Sequence, residues 1–452
     1  MPAHLIDSLA TTESLAEIFA DDSVLQAMLD FEIALARAEA RVGIVPKSAA
    51  EKISTVAREA EFDVPALSHA MFRAGTAAIP LVKALTDKVR ARDKKAAGWV
   101  HWGATSQDVT DTALILLLKR AYPILVGDLQ RLGKSLVELS EQHKATVMLG
   151  RTLMQAAPPI TFGLKVAGWL GALHRGTKRL ESAWSGALVL QFGGASGTLA
   201  SLGDKGTVVA QALAEELGLS CPEAPWHTHR DRLANLVCSC GILTGSLGKM
   251  ARDISLLMQT EVGELAEPGG EGRGGSSTMP HKRNPIACSL TLNAAQRVPP
   301  LVACFLAAMV QEHERAVGSW QSEWPVIASI VQSTGVATAS MAEAAEGLTV
   351  HAERMRQNIE NTRGLIFAER VMMLLAAELG RDVAHRLLED ATRQSIAQNK
   401  RLSAVLQGLP EVASHIGPSV LEQLEIPEHY LGSAEAFRKA LVTCRTRKNQ
   451  ER

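Results

Sequence analysis

The middle of the chain consists of five long segments in which apolar residues recur with the period of an α-helix. Each segment is apolar on more than one face, so it needs more neighbours than one chain's own packing provides. Strand-type alternation is scarce, and aromatic residues make up only 4% of the chain, which favours helices over sheets. We therefore predict an all-α fold with a central helix bundle that continues across subunits. The segments span approximately residues 111–143, 160–187, 230–262, 286–311 and 313–346.

Changes in helix length divide the chain into three predicted domains. Residues 1–105 are typical of an N-terminal helical domain, in which an apolar stripe beginning at Met28 ends at Gly43. Residues 106–355 are expected to form the central long-helix domain, which also carries a glycine-rich loop. Residues 356–452 are expected to form a small C-terminal domain, because their helical patterns are shorter and broken by glycine and proline.

Composition limits the partners of the protein. The formal net charge is −1, so no global field attracts nucleic acid or a membrane surface, and an anionic ligand needs a local basic pocket. The six cysteines are scattered, which suits neither a disulfide framework nor a zinc site and indicates a reducing compartment. Residues 1–22 lack the basic start of a signal peptide, and the most apolar run, residues 113–126, is too short to span a bilayer. We expect a cytoplasmic protein with no nucleic-acid or membrane partner.

Residues 268–285, here called the flap, begin with a glycine-rich run and continue as Gly-Gly-Ser-Ser-Thr-Met-Pro-His-Lys-Arg-Asn-Pro. Glycine makes a segment easy to bend but costly to order, so we expect the flap to close only over a ligand. It would then bring hydroxyls, an ammonium and an amide to one place, from Ser276, Ser277, Lys282 and Asn284. The alternative is a surface loop with a basic tip.

A second segment, residues 101–112, is dense in small hydroxyls and ends where a helical pattern begins. Thr105 and Ser106 would lie at the helix N-terminus, where free N–H groups and hydroxyls together can bind a carboxylate. The alternative is that the polar residues only cap the helix, with Asp108 or Thr110 satisfying its first N–H groups.

The flap string G-S-S-x-M-P-x-K-x-N-P resembles the signature of the fumarase/aspartase superfamily. Residues 101–112 resemble its first conserved region, T-S-x-D, and residues 150–161 its second, G-R-T-H-x-Q-x-A-x-P. The resemblance covers nearly the full chain. It implies a three-domain fold and a homotetramer with one shared helix bundle. Each active site would be built from three different subunits, take a small polycarboxylate substrate and need no cofactor.

The same resemblance implies roles for individual residues. Ser276 and Lys282 would be catalytic, and no metal site is implied. His227 and His229 could chelate a metal, but no carboxylate or cysteine spacing supports such a site. The substrate would be bound by Thr105, Ser106, Thr152, Gln155, Ser277, Met279, Asn284 and Arg230.

The chain departs from the superfamily at two positions that act as a pair in its fumarase-like members. Leu153 stands where most of the lyases carry a histidine, and Ser289 stands where the partner glutamate lies. Because the histidine and the glutamate are both missing, we interpret the pocket as adapted to a different route of proton transfer. Four other strings resemble the bacterial 3-carboxy-cis,cis-muconate cycloisomerases, at residues 75–82, 191–197, 225–232 and 311–315.

This resemblance implies an enzyme that interconverts 3-carboxy-cis,cis-muconate and a carboxymuconolactone. Lys282 and Asn284 would stabilise a doubly charged aci-carboxylate, and Ser276 would transfer the proton. Two alternatives stay open. One is a β-eliminating lyase of the same superfamily, such as adenylosuccinate lyase or another fumarate-releasing enzyme. The other is a non-catalytic structural homologue.

The string Gln-Glu-His-Glu-Arg at residues 311–315 offers further candidates. His313 is expected on a helix surface or at a subunit contact. Arg315 could bind the substrate, but we favour a structural role in which it pairs with Glu312. The tryptophans of the chain near these strings are expected to serve in packing, at Trp226, Trp320 and Trp324.

Overall fold

The computed structural model describes residues 5–270, 274–275, 279 and 282–443. Its helices are, in chain order, α1 (Glu13–Ile18), α2 (Asp21–Val42), α3 (Lys47–Glu59), α4 (Val64–Ala74), α5 (Ala78–Arg92), α6 (Ser106–Gln142), α7 (Phe162–Ala187), α8 (Gly206–Leu217), α9 (Asp231–Leu257), α10 (Ile286–Ala307), α11 (Ser319–Glu346), α12 (Ala352–Glu360), α13 (Ala368–Leu379), α14 (Arg381–Gln398), α15 (Leu402–Gln407), α16 (Pro410–Ala413), α17 (Pro418–Leu424) and α18 (Ala434–Thr443).

Four short strands accompany these helices: β1 (Val147–Thr152), β2 (Gln155–Thr161), β3 (Leu265–Ala266) and β4 (Thr349–Val350). β1 and β2 form an antiparallel hairpin, and β3 pairs with β4 in the same sense. The β1–β2 hairpin was not predicted from the sequence. The all-α prediction is nevertheless confirmed, because helices account for most of the described residues.

The five predicted long helices are confirmed as α6, α7, α9, α10 and α11. The start of the last one was predicted too early, at residue 313. His313 and Gly318 have left-handed backbone angles, with φ of 46° and 90°, which an α-helix cannot accommodate. The chain between α10 and α11 is therefore a loop, and His313 does not lie on a helix surface.

The described chain groups into two compact units. Unit 1 consists of residues 1–129, 176–248 and 290–340, and unit 2 of residues 130–175, 249–289 and 341–452. The boundaries between the units fall inside the long helices, because each of them supplies residues to both. The three domains predicted from helix length, at residues 1–105, 106–355 and 356–452, remain a prediction.

The core of unit 1 is built largely on α2. The helix ends at Gly43, whose φ of 78° places it in the left-handed region that favours glycine at a helix end. The apolar stripe predicted there faces inward, since Met28, Phe31, Leu35 and Ala38 are all less than 5% exposed. α3, α5 and α8 supply residues to the same core cluster.

Unit 2 holds a second core in the C-terminal helices, where apolar residues of α13, α14, α15 and α17 pack together. The last helix, α18, is fixed by Arg438, whose side chain is only 1% exposed. Its guanidinium donates hydrogen bonds to Glu141 at the end of α6, at 3.1 Å, and to Glu435 one turn away, at 2.6 and 2.8 Å.

Helix α9 is long and apolar enough to cross a membrane by length and composition alone. Its most apolar 18-residue window is 61% buried within the protein. Burial of this extent is the pattern expected of a core helix, whose apolar faces pack against other helices rather than lipid.

Glu39 on α2 is a carboxyl group buried in the core of unit 1. Glu39 is 0% exposed, and neither of its side-chain oxygens has a hydrogen-bond partner among the described residues. Burial, and to a lesser extent the negative charge of Glu32, raise the pKa of Glu39 to about 9 from an ordinary value of 4.5. The group is therefore protonated at neutral pH, which avoids a buried unpaired charge.

We expect Glu39→Gln to weaken the loss of stability on raising the pH. Between the unfolded pKa near 4.5 and the folded value of about 9, the folded chain keeps a proton that the unfolded chain has lost. Stability is therefore fully present below the unfolded pKa and falls as the pH rises towards 9, by up to about 1.4 kcal/mol per pH unit. Calorimetry at about pH 6 and pH 8.5 should show a smaller fall in Tm for Glu39→Gln than for the wild type. The exposed Glu51→Gln is the matched control, and equal falls in all three proteins would refute the assignment.

Candidate active site

The N-terminus of α6 is organised by Asp108. The N–H of Thr105 donates to Oδ2 of Asp108 at 3.0 Å, and the N–H of Asp108 donates to the carbonyl of Thr105 at 3.0 Å. Asp108 is 0% exposed, so the capping interpretation holds for this residue. It does not hold for Thr110, whose hydroxyl donates back to the carbonyl of Ser106 at 3.0 Å instead of accepting a free N–H. Thr105 and Ser106 themselves are half-buried.

Asp108 also holds a glycine turn and a histidine against the start of α6. Its carboxylate accepts hydrogen bonds from the N–H groups of Gly193 and Gly194, at 3.0 and 2.9 Å, and lies 2.7 Å from Nε2 of His227. Glycine is required in this turn, because a Cβ on Gly193 would lie 2.7 Å from Pro225. The His227 side chain is thus occupied in positioning Asp108. Among the described residues, no group of three or more His, Cys, Asp and Glu side chains is arranged to hold a metal ion.

Arg315 lies beside the start of α6. Its Nη1 donates to the hydroxyl of Thr105 at 2.8 Å, and its Nη2 donates to the carbonyls of Gly194 and Ala195 at 3.3 and 3.1 Å. The side chain does not pair with Glu312, as the sequence had suggested. Its Nε is buried and has no acceptor among the described residues. We call Thr105, Ser106 and Arg315 the carboxylate cradle, since the guanidinium of Arg315 and the hydroxyl of Thr105 meet at the N-terminus of α6, where Ser106 is the first helical residue.

A buried ion-pair network lies further along α6. Arg230 makes a two-pronged contact with Asp111, at 2.7 and 3.1 Å, and its Nε donates to both oxygens of Glu323, at 3.0 and 2.9 Å. All three side chains are 0% exposed. Burial raises the pKa of Glu323 despite the opposing charge of Arg230. Trp320 donates to Asp111 at 3.0 Å, so it also bonds to this network besides packing.

This network corrects the role predicted for Arg230. The positive charge of Arg230 is neutralised by the two carboxylates that enclose its guanidinium, Asp111 and Glu323, so it is not available to an anionic substrate. Trp226 covers the guanidinium as well, with its ring centre 4.7 Å away. The structure therefore gives Arg230 a structural position that holds α6, α9 and α11 together within unit 1. The basic side chain at the cradle is Arg315 instead.

His101 pairs with a buried carboxylate near the same segment. Its Nδ1 lies 2.6 Å from Oε1 of the buried Glu32. Burial lowers the pKa of His101, but the negative charge of Glu32, its hydrogen bond and the charge of Asp108 outweigh burial, and the pKa is raised. The ring is therefore held closer to its charged form than a free histidine, and Glu32 balances that charge.

Thr152 and Gln155 face each other across the tip of the β1–β2 hairpin, where they form the last register pair. The two turn residues between them, Leu153 and Met154, both have positive φ, of 49° and 66°. This geometry favours asparagine and glycine, so the turn is strained. Leu153 and Met154 are 97% and 72% exposed, and Thr152 and Gln155 are exposed as well.

The flap is described only in part. Ser276, Ser277 and His281 lie outside the described residues. Lys282 is exposed, Asn284 is half-buried and Met279 is 43% exposed. Two backbone hydrogen bonds connect described residues of the flap. The Lys282 N–H donates to the Met279 carbonyl and the Asn284 N–H donates to the Gly274 carbonyl, each at 3.0 Å.

The predicted site residues thus fall into three groups. Thr105 and Ser106 lie together with Arg315 in unit 1. Thr152 and Gln155 form the hairpin tip of unit 2, and Met279, Lys282 and Asn284 lie on the flap. That these groups meet in one pocket stays a prediction. The contact of Arg315 with Thr105 was not predicted, because the two residues are 210 positions apart in sequence.

Comparison with known proteins identifies the family. A family model described as "Lyase" matches residues 9–299, and one described as "Adenylosuccinate lyase C-terminus" matches residues 364–441. The chain belongs to this lyase family. The result confirms the superfamily indicated by the flap signature.

Members of this lyase family resemble the chain over nearly its full length. A 3-carboxy-cis,cis-muconate cycloisomerase from Bradyrhizobium diazoefficiens is 50% identical, covering 92% of each chain. The crystal structure of a 3-carboxy-cis,cis-muconate lactonizing enzyme from Pseudomonas putida matches with a TM-score of 0.92 and 46% identity, over 98% of this chain and 99% of that one. A nitrosuccinate lyase from Streptomyces davaonensis is 42% identical, over 92% of this chain and 89% of its own.

Proposed function

We propose that the protein interconverts 3-carboxy-cis,cis-muconate and a carboxymuconolactone. The observation that carries the proposal is the carboxylate cradle, in which Arg315 lies 2.8 Å from Thr105 at the N-terminus of α6. The guanidinium of Arg315 is bonded there to neutral oxygens of Thr105, Gly194 and Ala195, and no carboxylate of the described residues pairs with it. Its charge can therefore attract a polyanionic substrate to a chain whose net charge is only −1. The names of the Bradyrhizobium and Pseudomonas relatives support the same reaction.

In the proposed reaction one substrate carboxylate oxygen forms a bond to an alkene carbon. The alkene electron pair moves towards the carbon next to a second carboxylate, which becomes an aci-carboxylate with doubled charge. Lys282 and Asn284 of the flap stabilise that charge, and fixed donors of this kind are worth about 3 kcal/mol each. A proton from the Ser276 hydroxyl then completes the lactone, and the Ser276 alkoxide takes a proton from water to restore the hydroxyl.

The absence of a histidine at position 153 fits this chemistry. In the reverse direction, the Ser276 alkoxide removes the proton next to the carboxylate, and the bond that breaks releases a carboxylate. A carboxylate is a stable leaving group and needs no general acid, so this step does not require a proton-donating side chain at position 153. Serine is a weak base, so Ser276 needs a dry pocket and a cationic neighbour, for which Lys282 is suited.

We further propose that the protein is a homotetramer whose sites are shared between subunits. The support comes from the hairpin tip, where Thr152, Gln155 and the apolar Leu153 and Met154 are all exposed in the single chain. Ligand-binding side chains in a strained turn with large exposed apolar neighbours are suited to insertion into another subunit. The substrate is then held by residues from more than one chain, without a cofactor.

Incubation of the purified protein with 3-carboxy-cis,cis-muconate is expected to abolish the diene absorbance with multiple turnovers. The product should be a lactone, identified by NMR. Arg315→Gln is expected to raise KM more than it lowers kcat, because the cradle binds a carboxylate that is charged throughout the reaction. No loss of absorbance at micromolar enzyme would refute the proposal.

The second candidate is a β-eliminating lyase, which the nitrosuccinate lyase from Streptomyces davaonensis favours. Elimination from a succinyl-type substrate releases fumarate, which absorbs in the ultraviolet. Fumarate release from such substrates, together with no turnover of carboxymuconate, would show that the protein is a β-eliminating lyase. The same cradle and flap would then bind a substituted succinate.

A further inference from the structure

The flap leaves and rejoins the rest of unit 2 at one buried carboxylate. Glu267, at the end of β3, is only 4% exposed. Its Oε2 accepts the N–H of Ala287 and its Oε1 accepts the N–H of Cys288, both at 2.9 Å. These are the second and third residues of α10, so the cap of this helix comes from the far side of the flap, 20 and 21 residues away in sequence.

The capping carboxylate is well matched to its surroundings. A negative charge at a helix N-terminus interacts favourably with the helix dipole, and a carboxylate is the strongest common acceptor for free N–H groups. Pro285, which precedes α10, has no side-chain acceptor that could replace it. Burial raises the pKa of the Cys288 thiol, and a hydrogen bond from that thiol to Glu267 raises it further. The thiol therefore stays protonated and serves as a third donor to the same carboxylate.

A second contact joins two described parts of the flap, Gly274 and Asn284. The N–H of Asn284 donates to the carbonyl of Gly274 at 3.0 Å. Gly274 has a φ of 64°, and a Cβ on it would lie 2.9 Å from the carbonyl oxygen of Asn284. Lys282 is thus two residues from this contact, and Asn284 is three residues before Ala287, whose N–H is capped by Glu267.

The segment that carries Glu267 is held in place by contacts on both sides of this residue. Three residues earlier, the buried Glu264 binds Arg151 of β1 in a two-pronged contact at 3.0 and 2.6 Å and accepts Nδ2 of Asn358 at 2.7 Å. On the other side, Pro268 packs so closely on Gly347 that a Cβ there would lie 2.5 Å from the proline ring. The base of the flap therefore cannot shift without breaking these contacts.

We propose that Glu267 is a positioning residue for the reaction: by capping α10 across the base of the flap, it fixes where Lys282 and Asn284 stand. The proposal rests on the proposed function for its catalytic consequence. Glu267 has no contact with the substrate in this scheme. It acts through the two flap residues that stabilise the aci-carboxylate, and a misplacement of about 1 Å in such groups can cost 100-fold in rate.

The test is Glu267→Gln, which keeps the size of the side chain but replaces one acceptor oxygen with an NH₂ group that faces an N–H donor. We expect kcat for carboxymuconate to fall about 10- to 100-fold while KM changes less than about threefold, because Lys282 and Asn284 act on charge that develops only in the transition state. Glu261→Gln makes the same charge change on an exposed side chain six residues earlier and should leave both constants unchanged.

A readout that does not depend on turnover is tryptic cleavage after Lys282 and Arg283, both of which are exposed. Glu267→Gln should be cut there about tenfold faster than the wild type, with cleavage elsewhere unchanged. If the wild-type protein fails to turn over carboxymuconate, the proposed function fails, and the cleavage rates alone decide on Glu267.

Wild-type kcat and wild-type cleavage in Glu267→Gln would overturn the proposal. So would a rise in KM at constant kcat, or faster cleavage throughout the chain, since either would indicate a role other than placing the flap. If Glu267→Gln does not fold, Glu267→Asp replaces it. Its shorter carboxylate reaches at most one of the two N–H groups, and the same pattern of kcat, KM and cleavage is expected.

Discussion

Replacement of Ser276 with alanine is expected to lower kcat about 1,000-fold or more while leaving the Tm unchanged. Ser276 is the only group assigned to move the proton, because Leu153 cannot exchange one. Removing a proton-transfer group typically costs 100- to 10,000-fold. Steady-state assays with carboxymuconate measure the loss, and Ser414→Ala, an exposed serine far along the chain, is the matched control. A Ser276→Ala enzyme that keeps more than about a tenth of the wild-type kcat would reject the assignment.

The same variant tests the sharing of sites between subunits. Gln155→Ala should also lower activity, through the hairpin rather than the flap. If the protein is a homotetramer in which each site takes its hairpin and its flap from different subunits, mixed tetramers of the two impaired variants contain some sites with neither substitution. Dissociating and reassembling the two variants together should then restore a measurable fraction of wild-type activity. Absence of any recovery from correctly assembled tetramers would show that each site belongs to one chain.

The helical architecture could be predicted because periodic burial leaves a direct record in the sequence. The stripe on α2 and the left-handed Gly43 that ends it are local features, so no knowledge of tertiary contacts was needed. The start of α11 was misplaced for the complementary reason. The chain near His313 has polar residues compatible with a helix, and its left-handed φ of 46° becomes apparent only in the folded protein.

The candidate site could be proposed from the sequence where its residues lie in one continuous string. The flap and the segment around Thr105 carry their functional groups at fixed spacings. The hairpin was missed because its turn is made by Leu153 and Met154, which give none of the usual hairpin signals. The roles of the arginines depended on distant partners. Arg315 has Glu312 nearby in sequence but binds Thr105, while Arg230 binds Asp111, 119 residues away.

Arg230→Met is expected to destabilise the protein by about 3–5 kcal/mol, the largest effect on folding among the predictions. The change leaves Asp111 and Glu323 facing each other with no cation between them, and all three side chains are 0% exposed. Breaking a buried pair by removing one partner is costly because the remaining charge is uncompensated. Urea denaturation measures the loss. Arg41→Met, at an ion pair whose side chains are 48% and 53% exposed, should cost less than about 1 kcal/mol.

The cause of that loss can be separated from the loss of side-chain packing. Asp111→Asn combined with Glu323→Gln and Arg230→Met removes every charge of the network while nearly preserving its volume. If uncompensated charge dominates, the triple variant should be more stable than Arg230→Met alone, because neutral amides cost less to bury than carboxylates. If the triple variant is no more stable than the single one, the guanidinium contributes mainly through its hydrogen bonds and its contact with Trp226. The network would then hold α6, α9 and α11 by directional contacts rather than by charge balance.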